Sequence, residues 1–142
     1  MLFRSFLRVS DLNDPVHTGI EVSLDDTRRN DDRDSGGFDG LVTPMVYAQN
    51  PTGQWNHMTI AATGPRIMVT LNDIAVSTIN HDEWTNPGRR PDGSVHRFKN
   101  VVIANRARSG YLDFQDLGSD CWFKNIVLKS SSVGRKSAPT SS

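Results

Sequence analysis

The residues of this chain best suited to acid–base chemistry are Glu21, Asp25 and Asp26, in the stretch Ile20-Glu21-Val22-Ser23-Leu24-Asp25-Asp26. Ile20, Val22 and Leu24 alternate with Glu21, Ser23 and Asp25, a period of two that predicts a strand with one oily and one polar face. A general base must be held in a fixed geometry, and a strand does that. Glu21 and Asp25 share a face but stand roughly 13 Å apart, too far for a glycosidase-type carboxylate pair. Each needs partners from neighbouring strands; without them the three acids are solvent-facing groups on a half-exposed sheet.

Other side chains with chemical potential are scattered. Gln115 and Asp116 form a polar knot inside Gly110-Tyr-Leu-Asp-Phe-Gln-Asp. Alternation turns Gln115 with Tyr111 and Asp113 towards the polar face and leaves Asp116 at the strand end. His57 shares a strand face with Thr59 and is the one histidine on an expected strand, while His17, His81 and His96 have no ligand spacing among them. Trp84 sits in a polar loop, where an exposed indole would serve as a sugar-stacking platform; Trp55 and Trp122 open strands and read as core. Asp31, Asp32 and Asp34 offer closely spaced oxygens but lack the glycine and terminal glutamate of an EF-hand loop, so no metal ligand set is assigned. Cys121 lies in an apolar run and reads as a structural thiol.

Composition narrows the partners. The chain has 142 residues, with 16 basic and 16 acidic side chains. Its length favours one domain over residues 1–129, and its balanced charge gives no field for nucleic acid or an anionic membrane. Arg89, Arg90, Arg97 and Lys99 lack interleaved stacking aromatics, which argues against a single-strand nucleic-acid surface. Arg4 and Arg8 interrupt the N-terminal apolar residues, so no signal-peptide core forms. Neither a nucleophile elbow nor a phosphate-cradling loop is present.

Alternation predicts an all-β antiparallel sandwich, with strands near residues 3–9, 18–25, 41–47, 55–63, 66–71, 74–79, 101–105, 110–115 and 121–129. Asn72-Asp73 has the form of a two-residue hairpin turn. Residues 26–40, rich in mixed charge and glycine, read as a solvated, mobile loop, and 130–142 as a disordered polar tail. Polar faces such as Glu21-Ser23-Asp25 are expected to look outward, on the concave side of a curved sheet.

The runs Thr-Gly-Ile-Glu-Val-Ser-Leu-Asp-Asp, Trp-Asn-His-Met-Thr-Ile with its Gly-Pro turn, and Gly-Tyr-Leu-Asp-Phe-Gln-Asp followed by Trp-Phe-Lys-Asn-Ile resemble the 3-keto-disaccharide hydrolase domain family, also described as 3-keto-glucoside lyase/hydratase. The resemblance runs from about Phe6 to Lys129 and implies a concanavalin A-like jelly roll that acts on oxidised glycosides. It implies that Glu21 is the catalytic base or a ligand of a divalent metal, that Arg8 and Asp25 complete the catalytic group, and that Gln115 and Asp116 grip sugar hydroxyls. Its other matches are Gly19, Tyr47, Trp55 and Asn56. No cofactor is assigned beyond that divalent metal. The family also implies N-terminal strands not visible here and a periplasmic or secreted setting. Two positions depart from its pattern: Ser23 stands where glutamine is usual, and Leu117 where histidine follows Gln-Asp. The second departure favours the rival reading, a non-catalytic, lectin-like jelly roll.

Overall fold

The computed structural model describes residues 2–130, so the expected polar tail, apart from Ser130, lies outside the described residues. Within them the chain is nearly all β, an antiparallel sandwich of jelly-roll type with two three-stranded sheets. The first sheet contains β1 (Leu2–Val9), β2 (Ile20–Asp25) and β6 (Tyr111–Asp116), in the order β2-β1-β6; the second is the meander β3 (Met58–Thr63), β4 (Arg66–Leu71) and β5 (Ile74–Asn80). A single helical turn, α1 (Pro15–Thr18), joins β1 to β2, with the Asp14 side chain accepting the His17 amide at its start.

The meander forms where the turn residues require it. Asn72 and Asp73 both have positive φ (50° and 66°), as a type I′ hairpin demands, and Asn56 Oδ1 braces the hairpin by accepting from Asn72 Nδ2 at 2.8 Å. Ile67, Val69 and Leu71 of β4 and Val76 and Ile79 of β5 turn inward against Ile20 and Val22 of β2.

The segment after β2 is not the solvated loop that its charges suggest. Its chain folds back along the free edge of β2: the Ser23 amide donates to the Gly37 carbonyl (2.9 Å), and the Asp39 amide donates to the Glu21 carbonyl (3.1 Å). Phe38 pairs with Val22 and is completely buried. Gly36 permits the approach, because its φ is +89° and a Cβ there would lie 2.5 Å from Val76 Cγ2. Burial of one phenylalanine ring and capping of an open strand edge outweigh the cost of ordering a polar segment.

Three expected strands are absent. Residues 41–47 are irregular, with Leu41 in the core and Pro44 lacking a ladder donor. Residues 101–105 close into a 3-10 turn, Ile103–Asn105, that buries Ile103. Residues 121–129 have no strand pairing, and Asn125 has φ 55°, which breaks an extended run. Trp122 is accordingly 70 % exposed and Trp55 54 %, rather than core. Phe123 still leans on Phe3, with ring centroids 4.2 Å apart.

Candidate functional site

On the outward face of the first sheet, residues fall into rows. Register sets Ser23, Arg4 and Gln115 opposite one another across β2, β1 and β6, and sets Glu21, Phe6 and Asp113 in the next row. Directly opposed side chains share a face, so the polar stripe of β2 meets Arg4 and Gln115 as neighbours. Gln115 Nε2 donates to Asp113 Oδ2 at 2.7 Å, which fixes its amide on that face.

The folded-back segment adds the residue that the sequence did not single out. Because Phe38 pairs with Val22, Asp39 comes to lie beside Glu21 on the same face. Both carboxyls are largely buried: the side chains of Glu21 and Asp39 are 9 % and 8 % exposed. Arg97 Nη2 holds Asp39 Oδ2 at 2.5 Å, whereas Glu21 Oε1 has Arg4 Nε at 3.5 Å, a looser contact. Glu21 Oε2 receives no donor from a neutral or cationic group. The Asp39 carboxyl beside it is a like charge, which disfavours ionisation of Glu21. Burial first, and the Asp39 charge second, push Glu21 up to about 7, while Arg4 and Arg97 act in the opposite direction.

The pair lines a narrow cleft of about 40 Å³ with Arg4, Ser23 and Arg33, well short of the roughly 300 Å³ at which small-molecule pockets begin. A carboxyl poised near neutrality, two guanidiniums and an adjacent amide can take a proton, stabilise an oxyanion and orient hydroxyls.

Not every expected site residue joins this group. Arg8 is turned away: β1 bulges between Phe6 and Val9, Arg8 has φ 55°, and its neighbours are His81 and Arg108. Arg4, two register rows along the same strand, stands by Glu21 instead. Asp25 borders the cleft, but both of its oxygens are engaged, Oδ1 by the Thr27 amide (2.8 Å) and Oδ2 by Arg29 Nε (2.7 Å). At 2 % exposure, with one bond to each oxygen from the segment that follows, it anchors the turn after β2. Asp116 pairs with Phe3, on the opposite face from Gln115, and its Oδ1 accepts the Gly118 amide at 3.0 Å to cap the following turn.

His57 precedes β3 on the other sheet, exposed, with Nε2 3.5 Å from Thr59 Oγ1; the core side of β3 belongs to Met58 and Ile60. Trp84 is 5 % exposed in the central cluster, so its ring has no face for a sugar. The indole follows a 3-10 turn at the end of β5 that carries it inward, which a polar flanking sequence does not reveal. Glu21 and Asp39 have guanidiniums as counter-charges, and no third histidine, cysteine or acid joins them in a metal-type cluster among the described residues. As arranged, the pair does not fit a divalent cation. One signal did mark Asp39: in Gly-Gly-Phe-Asp-Gly, a lone phenylalanine among charges and glycines has no reason to be in solvent, and its neighbour alternates onto the opposite face.

No curated protein matches the chain. Among solved structures, a provisionally assigned glycosyl hydrolase from Parabacteroides distasonis ATCC 8503 has the same fold, with a TM-score of 0.70 and 22 % identity over 80 % of this chain. The match spans 60 % of that protein, so this chain corresponds to about three-fifths of its length. The model of the 3-keto-alpha-glucoside-1,2-lyase-like domain matches residues 2–129, and the chain belongs to that family.

Proposed function

We propose that the domain cleaves 3-keto-glycosides by elimination and hydration, with Glu21 as the base. A ketone at C3 of the sugar acidifies the C2 proton. Glu21, in its carboxylate form, takes that proton, and the C2–H electron pair moves into an enolate on the C3 oxygen. Arg4 is the cation placed to stabilise that charge, the role that the family pattern would give to Arg8. Collapse of the enolate expels the C1 substituent, which leaves with a proton as an alcohol. Water then adds its hydroxyl to C1 and a proton to C2 of the enone, for net hydrolysis. Gln115 orients a ring hydroxyl beside Arg4 in this reading.

The observation that carries the proposal is the Glu21–Asp39 pair, because a carboxyl raised to about 7 matches a base working at neutral pH far better than an ordinary glutamate would. Incubating the protein with a 3-keto-disaccharide should release the free alcohol component and 3-keto-sugar, with a transient enone absorbance; Glu21→Gln should lower the rate at least about a hundredfold. Unchanged turnover in that variant would remove Glu21 from the role. A second reading, sugar binding without turnover, is supported by Leu117, 40 % exposed where the family has histidine. It predicts saturable binding of the 3-keto-disaccharide with no enone in the unmodified protein.

A further inference from the structure

The outer strands of the two sheets are finished differently. Residues 36–39 cap the edge of β2, and at β5 the Met45 amide donates to the Val76 carbonyl (2.8 Å). β3 exposes Thr59, Ala61 and Thr63, small or polar side chains that form no apolar face. β6 is both open and apolar. Among the described residues no segment hydrogen-bonds to its outer edge, and it has neither the lysine nor the proline that commonly blunts an exposed strand.

The core side of β6 is uncovered as well. Leu112 and Phe114 share the face of Phe3, and the Phe114 ring lies 6.2 Å from that of Phe3 and 5.5 Å from that of Phe123. Beyond Phe123 the chain runs through Ile126, Val127 and Leu128 with no backbone hydrogen bond to another described segment. Five residues of extended chain span at most about 18 Å, so these side chains continue the patch that Phe114 and Phe123 begin. The six apolar side chains are 42–82 % exposed. They leave on the order of 600 Å² in water, the upper end of what a monomer usually shows. A standard interface takes about 800 Å² from each partner, a little over half of it apolar, so the patch has the size that one further copy covers. With 16 basic and 16 acidic residues, two chains have no net charge to keep them apart.

We propose that two copies of the chain associate through β6, edge to edge and antiparallel about a two-fold axis, so that their apolar patches meet across the axis and the two sheets become one. Charge selects the register. A two-fold centred on Asp113 sets two carboxylates directly opposite each other, which is destabilising. Centred on Phe114, it sets ring against ring and places Asp113 opposite Gln115 of the second copy, an amide able to donate to it. The inference is independent of the reaction at Glu21.

Sedimentation equilibrium of the full chain across the micromolar range reads the association. A reversible rise from the chain mass of 15.8 kDa to twice that value is expected. Amide exchange should slow at β6 as concentration rises and stay unchanged at β3. Leu112→Lys should weaken association at least about tenfold, while Met68→Lys, on an exposed position of the meander, leaves it unchanged. Should Leu112→Lys not fold by far-UV circular dichroism, Leu128→Asp serves with the same expected loss, because that side chain lies outside any strand. A constant mass of 15.8 kDa leaves the patch to some other occupant and overturns the proposal. Growth beyond the dimer, protection gained at β3 instead of β6, and equal losses in Met68→Lys and Leu112→Lys each overturn it too.

Discussion

Glu21 and Asp39 are adjacent across the edge of β2, where the Asp39 amide donates to the Glu21 carbonyl at 3.1 Å and the two carboxyls share one face. Nothing local puts them there. The contact depends on Phe38, which is buried against Val22 and so fixes which way its neighbour Asp39 points. A single core residue thus sets which charge stands beside the proposed base.

Removing the neighbouring charge should therefore retune Glu21. In Asp39→Asn the repulsion that raises the Glu21 pKa disappears, while Arg97, freed of its partner, still attracts the carboxylate. The rate should depend on ionised Glu21 and rise with pH through about 7 in the unmodified protein. In Asp39→Asn the acid limb of kcat/KM should move down by about one pH unit or more. A limb that stays near neutrality in that variant would separate Asp39 from the base.

Stability should carry the same signature, with two opposed contributions. Glu21 is raised from 4.5 to about 7, so the folded protein binds more protons than the unfolded chain in that interval; its contribution is present below 4.5 and is lost as pH rises through 7. His81 is fully buried and lowered from 6.5 to about 4, by burial first and then by Arg8, Arg108 and Arg106; its contribution is present above 6.5 and is lost as pH falls towards 4. Each is worth about 3 kcal/mol over its window, and the two nearly cancel between pH 4.5 and 6.5. Denaturation of Glu21→Gln should expose the histidine slope, with stability rising over pH 4–6.5. His81→Phe should show the reverse, a fall from pH 4.5 to 7.

Phe38→Ala should unfold more readily by about 3–5 kcal/mol, the usual cost of removing a buried aromatic ring. It should also reduce turnover at temperatures where the protein remains folded, because residues 35–39 lose their hold on β2 and Asp39 drifts from Glu21. Urea titration measures the first effect and kcat the second. Equal losses in Phe38→Ala and in Phe38→Leu would argue against the anchoring role.

The tryptophans give an internal contrast. Trp84→Ala should cost about 3–5 kcal/mol, since the indole is 5 % exposed in the core. Trp122→Ala should change stability by no more than about 0.5 kcal/mol, since that ring is 70 % exposed. Parallel chemical denaturation distinguishes the two, and comparable losses would contradict this placement of Trp122.

Local pattern was sufficient for the meander and for β1, β2 and β6. Period-two alternation and the positive-φ preference of Asn72 and Asp73 act over a few residues and need no partner to be read. The same alternation placed Glu21 and Gln115 on polar faces, and register then joined them through Arg4. Residues 121–129 show the limit of such reasoning: their apolar run has strand character, yet a strand exists only where another edge accepts its hydrogen bonds. Trp84 shows it differently, because a flanking sequence of polar residues says nothing of which way a turn carries the ring.

By itself, then, the sequence determined the all-β class, the strand that bears Glu21 and the polar identity of its face, all consequences of local alternation. Tertiary structure decided the company Glu21 keeps. A one-residue bulge in β1 took Arg8 out of the group, because each slip of one residue reverses every side chain beyond it, and left Arg4 in its place. Burial of Phe38 brought in Asp39, and with it a like charge that helps raise Glu21, because the field at a carboxyl depends on charges near in space, whatever their separation along the chain.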